Sequence, residues 1–482
     1  RNIPDTDQIK EYIDEKKPEK AVVVGGGFIG LEMVENLQEI GISVALVEML
    51  DQVMSQFDYE MAAMIHNHLR TEGVDLYLSN ALEEIEHEQG KTRVKLENKD
   101  TIETDMVFLG LGVSPNTELA EKAGLELGET GAIKVDQHLQ TSDNNIYALG
   151  DAIEVKDYIT DKPIQVPLAG PANKQGRIVA DNIYGRQEKY EGTQGTSIAK
   201  IFDLAVASTG ANEKCLTEAG IDYQVSYTNS KNHAGYYPKA QPMMIKIIFT
   251  PKAGKVLGAQ IVGRDGVDKQ IDLLATAVRE EMDVFDLQEL ELAYAPPFGS
   301  AKSPVNMAGF AAGNIVSGVV DVIHWHDLDD IKEDSIILDV REEVETKLGK
   351  IDNSINIPLN NLRDNLDQLD QEKEIIVYCA VGLRGYIACR ILKQHGFDRV
   401  KNLSGGYKLY SAVQDDQNEI IESPKKDELT SASNPEEGKI MGEEIVEEKA
   451  GKEIEIDASG LQCPGPIMQV YQKMEEINQG DI

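Results

Sequence analysis

The 482-residue sequence holds 84 acidic against 47 basic residues, a formal net charge of −37, and only four cysteines. A chain of this length accommodates three or four domains, and the lack of a global basic field excludes duplex nucleic acid and anionic membrane surfaces as partners. Cys215, Cys379, Cys389 and Cys463 give neither a disulfide framework nor a metal-ligand spacing, so the chain reads as cytoplasmic, without a metal site, with thiols that act singly. No stretch reads as a signal peptide, and no apolar run approaches the roughly 20 residues needed to span a bilayer. The first residue is Arg1, and the last stretch, NQGDI, stops where a strand is expected; the chain is expected to be a fragment at both ends.

Residues 21–125 alternate short β-branched runs (AVVV, SVALVE, MVFLGLG) with helical periodicity, which predicts βαβ units on a parallel sheet. Residues 126–190 carry IYALGD and the helix-like NKQGRIVADNIYG. Residues 191–320 read as an α+β unit with strands MMIKIIF and KVLGAQIVG and a long helix from Val267. A fresh α/β pattern begins near IHWHDL and spans 321–414. Residues 415–449 are charged and poor in large apolar side chains, which predicts a solvated linker. A last strand-to-helix unit, EIEIDASGLQCPGPIMQVYQKMEEI, falls within 450–482.

In AVVVGGGFIGLEMVENL, Gly25, Gly27 and Gly30 satisfy G-x-G-x-x-G between a buried strand and a helix. Small residues are needed there because a pyrophosphate must approach the amides at the helix N-terminus. Glu48 ends the second strand about 20 residues on, where a carboxylate accepts from an adenosine ribose hydroxyl and argues for NADH over NADPH. In TSDNNIYALGD, a strand ending in Gly150 and Asp151 places a carboxylate at a sheet edge, within reach of a ribityl or ribose hydroxyl.

The order GGGFIGLE, GLGVSPN, IYALGD, PLAGPANKQGR resembles the flavin-dependent pyridine nucleotide-disulfide oxidoreductases. The resemblance implies FAD and NADH (or NADPH) as cofactors. Asp151 is then the FAD-binding aspartate beside Gly150, Ala172 and Asn173 lie at the helix start near the flavin, and Gly112 of GLGVSPN joins the nucleotide set. The resemblance also implies a Rossmann-type NAD domain (21–125) inserted in a partial FAD domain, with residues 1–20 as its connector and 126–190 as its returning half. NHAGYYPKAQPM and ELAYAPPFGSAKSPVNMAG are similar to the dimerisation domain of coenzyme A-disulfide reductases and of their NADH oxidase and persulfide reductase relatives. That implies a homodimer in which Tyr236 and Tyr294 reach a thiol site, Tyr237 packs, and Lys239 stands where glycine is expected. A phenol suits the task because it donates a hydrogen bond to a leaving thiolate while staying neutral near pH 7. The second glycine motif and the single redox cysteine of that family are not found in this sequence, and Cys215 reads as a helical residue that does not replace the thiol.

SIILDVREEVETKLGKIDNSINIPLNNLR followed by IIVYCAVGLRGYIACRILKQHGFDRVKNLSGGY resembles a rhodanese domain, with Cys379 to Arg384 as its active-site loop. Sulfur transfer needs a thiolate that can carry an extra sulfur, a cradle of amides at a helix start, and an arginine; Cys-x4-Arg between strand and helix supplies all three. A phosphatase loop is the alternative, and the six-residue length favours sulfur. Asp339 and Arg341 resemble the supporting charged pair, Lys350 replaces a frequent histidine, and Cys389 reads as core. In ASGLQCPGPIM, Pro464 suits the first turn of a helix, and a cysteine at that cap feels a dipole that favours its thiolate. Cys463 resembles the persulfide cysteine of TusA-type sulfur carriers, so residues 450–482 read as the start of a small α+β sulfur-carrier domain.

These parts share one chemistry. The resemblance implies reduction of CoA disulfide, CoA persulfide or polysulfide by NAD(P)H, with Cys379 and Cys463 passing sulfur to acceptor proteins. An NADH oxidase with an accessory sulfurtransferase and a non-reducing sulfur-relay scaffold are the alternatives.

Overall fold

The computed structural model describes residues 3–88, 91–332 and 334–422. In the segment expected as a connector, α1 spans Ile3–Lys16. β1 (Lys20–Val24) follows, then α2 (Phe28–Glu39), β2 (Ser43–Val47), α3 (Tyr59–Thr71) and β3 (Asp75–Tyr77). A small antiparallel sheet of β4 (Leu82–Glu88), β5 (Lys91–Leu96) and β6 (Thr101–Thr104) precedes β7 (Met106–Leu109), which returns to the main sheet. That sheet is all parallel in the order β3-β2-β1-β7, and the continuous β-branched run of β1 is what burial on both faces of a parallel sheet requires.

Beyond α4 (Glu118–Lys122), a three-stranded sheet of β8 (Ile133–Lys134), β9 (Ile153–Lys156) and β10 (Pro163–Ile164) lies with α5 (Ala169–Ile183) around one small core. The α+β unit has an antiparallel sheet in the order β11-β12-β15-β14-β13, formed by Ser197–Ile201, Leu204–Gly210, Val256–Gly263, Pro242–Phe249 and Gln224–Lys231. Its helices are α6 (Glu213–Ala219), α7 (Val267–Arg279), α8 (Val284–Glu289) and α9 (Pro304–Val316). The last unit is a parallel sheet in the order β16-β20-β19-β17-β18: Asp321–Ile323, Val400–Leu403, Ile375–Tyr378, Ile336–Asp339 and Ile355–Asn356. α10 (Glu343–Thr346), α11 (Leu383–Gln394) and α12 (Gly406–Glu422) accompany it.

One buried apolar cluster runs from Leu31 and Ile65 of the first unit through Val206 and Met244 of the second to Leu409 of the third, so the units share core. The polar seams are as specific. The buried Lys246 ammonium meets Asp58 at 2.7 Å, Glu60 at 2.5 Å and Glu213, so this carboxylate cluster already holds a cation of the chain's own.

α12 corrects the linker expected from 415. The helix runs on to Glu422, and Asp416 is fully buried. Its carboxylate accepts from Tyr59 Oη (2.8 Å) and Arg70 Nη1 (2.6 Å) and pairs with His66 Nδ1 (2.8 Å), all on α3. Burial alone raises this carboxyl's pKa, but the bonds and charge of His66, Arg70 and Tyr59 outweigh it and hold the group below its ordinary range. A charge-rich stretch reads as solvated until the partners that neutralise one of its charges are in view. The remainder of the expected linker and the unit 450–482, with Cys463, lie outside the described residues. Among the described residues no helix is long and apolar enough to cross a membrane.

Candidate functional site

β1 delivers the chain into a tight turn. Gly25 has φ +108°, and a Cβ there would lie 2.3 Å from Gly110 O; one on Gly30 would lie 1.8 Å from Gly25 O. Gly27 differs: a Cβ on it meets nothing within 4 Å, and it caps α2 with no side-chain acceptor for the helix's first amides. Open space beside unclaimed N–H groups at a helix start is what an anionic group needs. Glu48 closes the other side, where its carboxylate accepts from Gly26 N at 2.6 Å and Leu50 N at 2.8 Å. Gly112, at φ +97°, is likewise open. The turn therefore fits a dinucleotide pyrophosphate. Gly110 and Val53, whose Cγ1 would lie 2.8 Å from a Cβ on Gly26, complete its walls; neither stands out in the sequence, because each acts through a backbone or methyl contact.

Gly150 (φ +77°) and Asp151 form a short 3₁₀ turn against α5, where a Cβ on Gly150 would sit 3.8 Å from that of Ala172. Gln175 Oε1 accepts from Gly150 N (2.7 Å), and Gln165 Nε2 donates to Asp151 O (2.6 Å); both glutamines are additions to the expected set. The fold brings Gly150, Asp151 and Ala172 together at the start of one helix, an arrangement that fits part of a flavin site. Asn173 instead donates back to Ala169 O (2.9 Å) on its own helix.

Tyr236 and Tyr294, 58 residues apart, have hydroxyls 3.1 Å apart, and Tyr236 is 77% exposed. The hydrogen bond that Tyr236 shares with Tyr294 holds its phenol above the ordinary pKa, so the group stays neutral. Tyr237 stacks edge-on against His233. Lys239 takes the left-handed conformation (φ +68°) that glycine would adopt more easily, so the turn is kept without the glycine.

The sulfur loop leaves β19 at Cys379, which is 1% exposed. Gly382 (φ +104°) turns the chain into α11, and its N–H donates to Cys379 Sγ at 3.1 Å. The loop's carbonyls face away from the sulfur: Tyr407 N donates to Cys379 O (2.8 Å), Lys408 N to Ala380 O (2.9 Å) and Asn402 Nδ2 to Gly382 O (3.2 Å). With the carbonyls so held, the Gly382 amide is left to face the thiol. Arg384 forms a two-pronged pair with Glu345 (2.7 Å each), and the sulfur of Cys379 is among the groups that raise the guanidinium's pKa, after Glu345. Arg384 in turn holds the Glu345 carboxyl down to about 2. Glu345 was not legible: it is one of several acids in DVREEVETK, and only the fold selects it.

Asp339 and Arg341 are buried and paired at 2.7 Å, and Arg341 also donates to Gly349 O, so they brace the neighbouring segment. Cys389 is buried, and burial pushes its thiol up to about 12; Cys215 is exposed on α6.

A glycine turn that fits a dinucleotide on one parallel sheet and a cysteine-centred loop on a second make this an α/β protein with two distinct strand-to-helix sites. Residues 1–176 match the pyridine nucleotide-disulphide oxidoreductase family, 196–304 its dimerisation domain and 324–413 the rhodanese-like domain. The coenzyme A disulfide reductase of Staphylococcus haemolyticus is 34% identical over 65% of this chain and 70% of its own length. Among solved structures, reduced Bacillus anthracis CoADR-RHD is 53% identical (TM-score 0.84; 86% of this chain, 74% of that one). An NAD-dependent persulfide reductase from A. fulgidus is 42% identical (TM-score 0.78; 84% and 74%). The chain belongs to the pyridine nucleotide-disulphide oxidoreductase family and carries that family's dimerisation domain together with a rhodanese-like domain.

Proposed function

We propose that this chain is part of an NAD(P)H-dependent reductase of CoA disulfide, CoA persulfide or polysulfide, and that Cys379 carries sulfane sulfur for it. The observation that carries this reading is the Gly382 amide that donates to Cys379 Sγ, in a loop that also holds Arg384 and in the same chain as the glycine turn. Gly25, Gly27 and Gly30 would hold the dinucleotide pyrophosphate, with Gly112 beside it and Glu48 at the adenosine ribose. Gly150, Asp151, Ala172 and the neighbourhood of Asn173 would hold FAD, which when bound supplies an acceptor for hydride from the nicotinamide. Tyr236 and Tyr294 would donate to a departing thiolate, reaching it across a homodimer.

In the sulfur step, the Cys379 thiolate attacks the outer sulfur of a persulfide. The new S–S bond forms as the donor's S–S bond breaks; the donor leaves as its thiolate, and Cys379 keeps the transferred sulfur as a persulfide. No electrons are exchanged overall. The Gly382 N–H and Arg384 stabilise the negative sulfur before and after transfer. Cys463 would accept that sulfur from Cys379 and present it to acceptor proteins, and the shared chain raises the effective concentration of the two thiols.

Because the second glycine motif and the redox cysteine are not found in this sequence, the chain alone is not expected to complete the cycle; the test is anaerobic NADH oxidation by an FAD-loaded parent protein that supplies both, with CoA disulfide or CoA persulfide as acceptor. Oxidation that depends on the sulfur acceptor supports the reading. Oxidation that proceeds only on admitting oxygen, whatever thiol substrate is added, contradicts it.

A further inference from the structure

The end of α3 meets the turn between β11 and β12, and three side chains converge there: His68 in the last turn of α3, Glu72 at its C-cap and Asp203 in the β11–β12 turn. One donor atom from each lies within 4.8 Å of the other two. Two surface acids make no site by themselves; the imidazole between them is what differs. His68 is only 9% exposed, and its Nε2 is buried without a hydrogen-bond partner. That nitrogen lies 3.3 Å from Asp203 Oδ1 and 3.9 Å from Glu72 Oε1, close to both yet aligned to hydrogen-bond neither. A buried polar atom left in this state carries the full cost of its lost water. Its surroundings fix its direction. Phe202 packs edge-on against the ring, with centroids 6.1 Å apart, and Arg264 Nε holds Asp203 Oδ2 at 3.1 Å, which leaves Oδ1 turned to the imidazole.

We propose that His68, Glu72 and Asp203 bind a zinc ion that ties α3 to the β11–β12 turn. The donor set favours that metal. Zinc takes imidazole nitrogen and carboxylate oxygen at about 2.0–2.2 Å in a tetrahedron, which places neighbouring donors roughly 3.3–3.6 Å apart. The His68 to Asp203 separation of 3.3 Å already matches, and Glu72, at 3.9 Å, needs only a small side-chain rotation. Magnesium and calcium prefer oxygen donors and would leave Nε2 as it is. The two carboxylates offset the ion's charge, while the Arg264 guanidinium lies on the outer oxygen of Asp203. A water completes the tetrahedron on the open side, where the Glu72 and Asp203 side chains are 37% and 59% exposed. Because the ligands come from the nucleotide-binding unit and the α+β unit, the ion cross-links the two. No thiol takes part, and the inference stands whether or not the reductase reading does.

The probes are zinc chloride and cobalt chloride, added to the full chain after chelator treatment, with zinc affinity read by competition against a chromophoric chelator. Cobalt is expected to give visible d–d absorption without the near-ultraviolet band of thiolate ligands. Asp203→Asn and Glu72→Gln, which change only exposed carboxylates, are each expected to weaken zinc at least about tenfold, the least that loss of a group behind the ligands costs. His68→Gln should weaken it as much or more. Saturating zinc is expected to raise the unfolding temperature of the parent and not of Asp203→Asn, since an ion that binds only the folded chain stabilises it. Cobalt absorption of thiolate character only, or zinc affinity unchanged in both Asp203→Asn and Glu72→Gln, overturns the site and leaves His68 and Asp203 as a plain ion pair. Zinc that binds at these residues without moving the unfolding temperature overturns the cross-link.

Discussion

The turn after β1 and the loop after β19 are the same device used in opposite ways. Each sits at the carboxyl end of a parallel strand, bends through a glycine of positive φ, and feeds a helix whose first amides are offered to an anion. The nucleotide turn places none of its own side chains in the cradle, and a Cβ on Gly27 would meet nothing within 4 Å. The sulfur loop fills its cradle with a side chain of its own, the nearly inaccessible Cys379. The first site is therefore defined by what small residues leave out, and the second by what surrounds a thiol.

The comparison is sharpest in the glycines. Gly30→Ala would drive a methyl into Gly25 O, and we expect it to abolish NADH binding and to lower stability by about 3 kcal/mol, the upper range for overpacking, in urea unfolding. Gly27→Ala should leave the unfolding midpoint unchanged yet weaken NADH binding tenfold or more, because its methyl enters only ligand space. Equal effects of the two substitutions on stability would break the distinction. In the sulfur loop, Gly406 combines φ +63° with a Cβ position 2.6 Å from Cys379 O, so Gly406→Ala is expected to act on the fold of the loop as Gly30→Ala does on the turn.

The seam that ties the two units together touches no ligand, but its effect on stability is at least as large. Removing one member of a buried charged network costs about 3–5 kcal/mol. Asp416→Ala should lose a comparable amount, seen as a lower urea midpoint and faster hydrogen exchange in α12 and α3. An unchanged midpoint would mean that the seam does not form in solution.

A smaller effect is expected at Glu345. Its folded pKa, about 2, lies below its ordinary 4.5, so the stability contributed by its pair with Arg384 is complete above about pH 4.5 and is lost as pH falls toward 2. Glu345→Gln should therefore differ most from the parent near neutral pH and converge with it in acid, with sulfur uptake at Cys379 reduced about tenfold. A difference in stability that grows as pH falls would contradict the pairing. The smallest effect is at Cys389: buried and held at about 12, it should resist iodoacetamide at pH 8, and Cys389→Ala should leave sulfur uptake within about twofold.

What could be read in the sequence was what repeats locally. Glycines at fixed offsets, a cysteine between strand and helix, and β-branched runs announce their elements because short-range sterics and amide geometry specify them. Tyr236 and Tyr294 could be named from the motifs around them, but the 3.1 Å contact of their hydroxyls is a product of the tertiary fold. Glu345, Gln175 and Asp416 were out of reach for a related reason. Each is an ordinary polar residue in a polar stretch, and only long-range packing brings it to Arg384, Gly150 or α3. Asp416 reversed an expectation outright, since composition alone cannot tell a solvated carboxylate from a buried one that three partners hold.

The most direct measurement is persulfide mapping. The chain is incubated with thiosulfate or polysulfide, freed of excess donor, and its cysteine peptides are weighed, with Cys379→Ser alongside. The account predicts one added sulfur on Cys379, later appearing on Cys463, and neither label in the variant. A Cys379 that stays unlabelled while the parent protein is folded would contradict the assignment of the loop as a sulfur carrier.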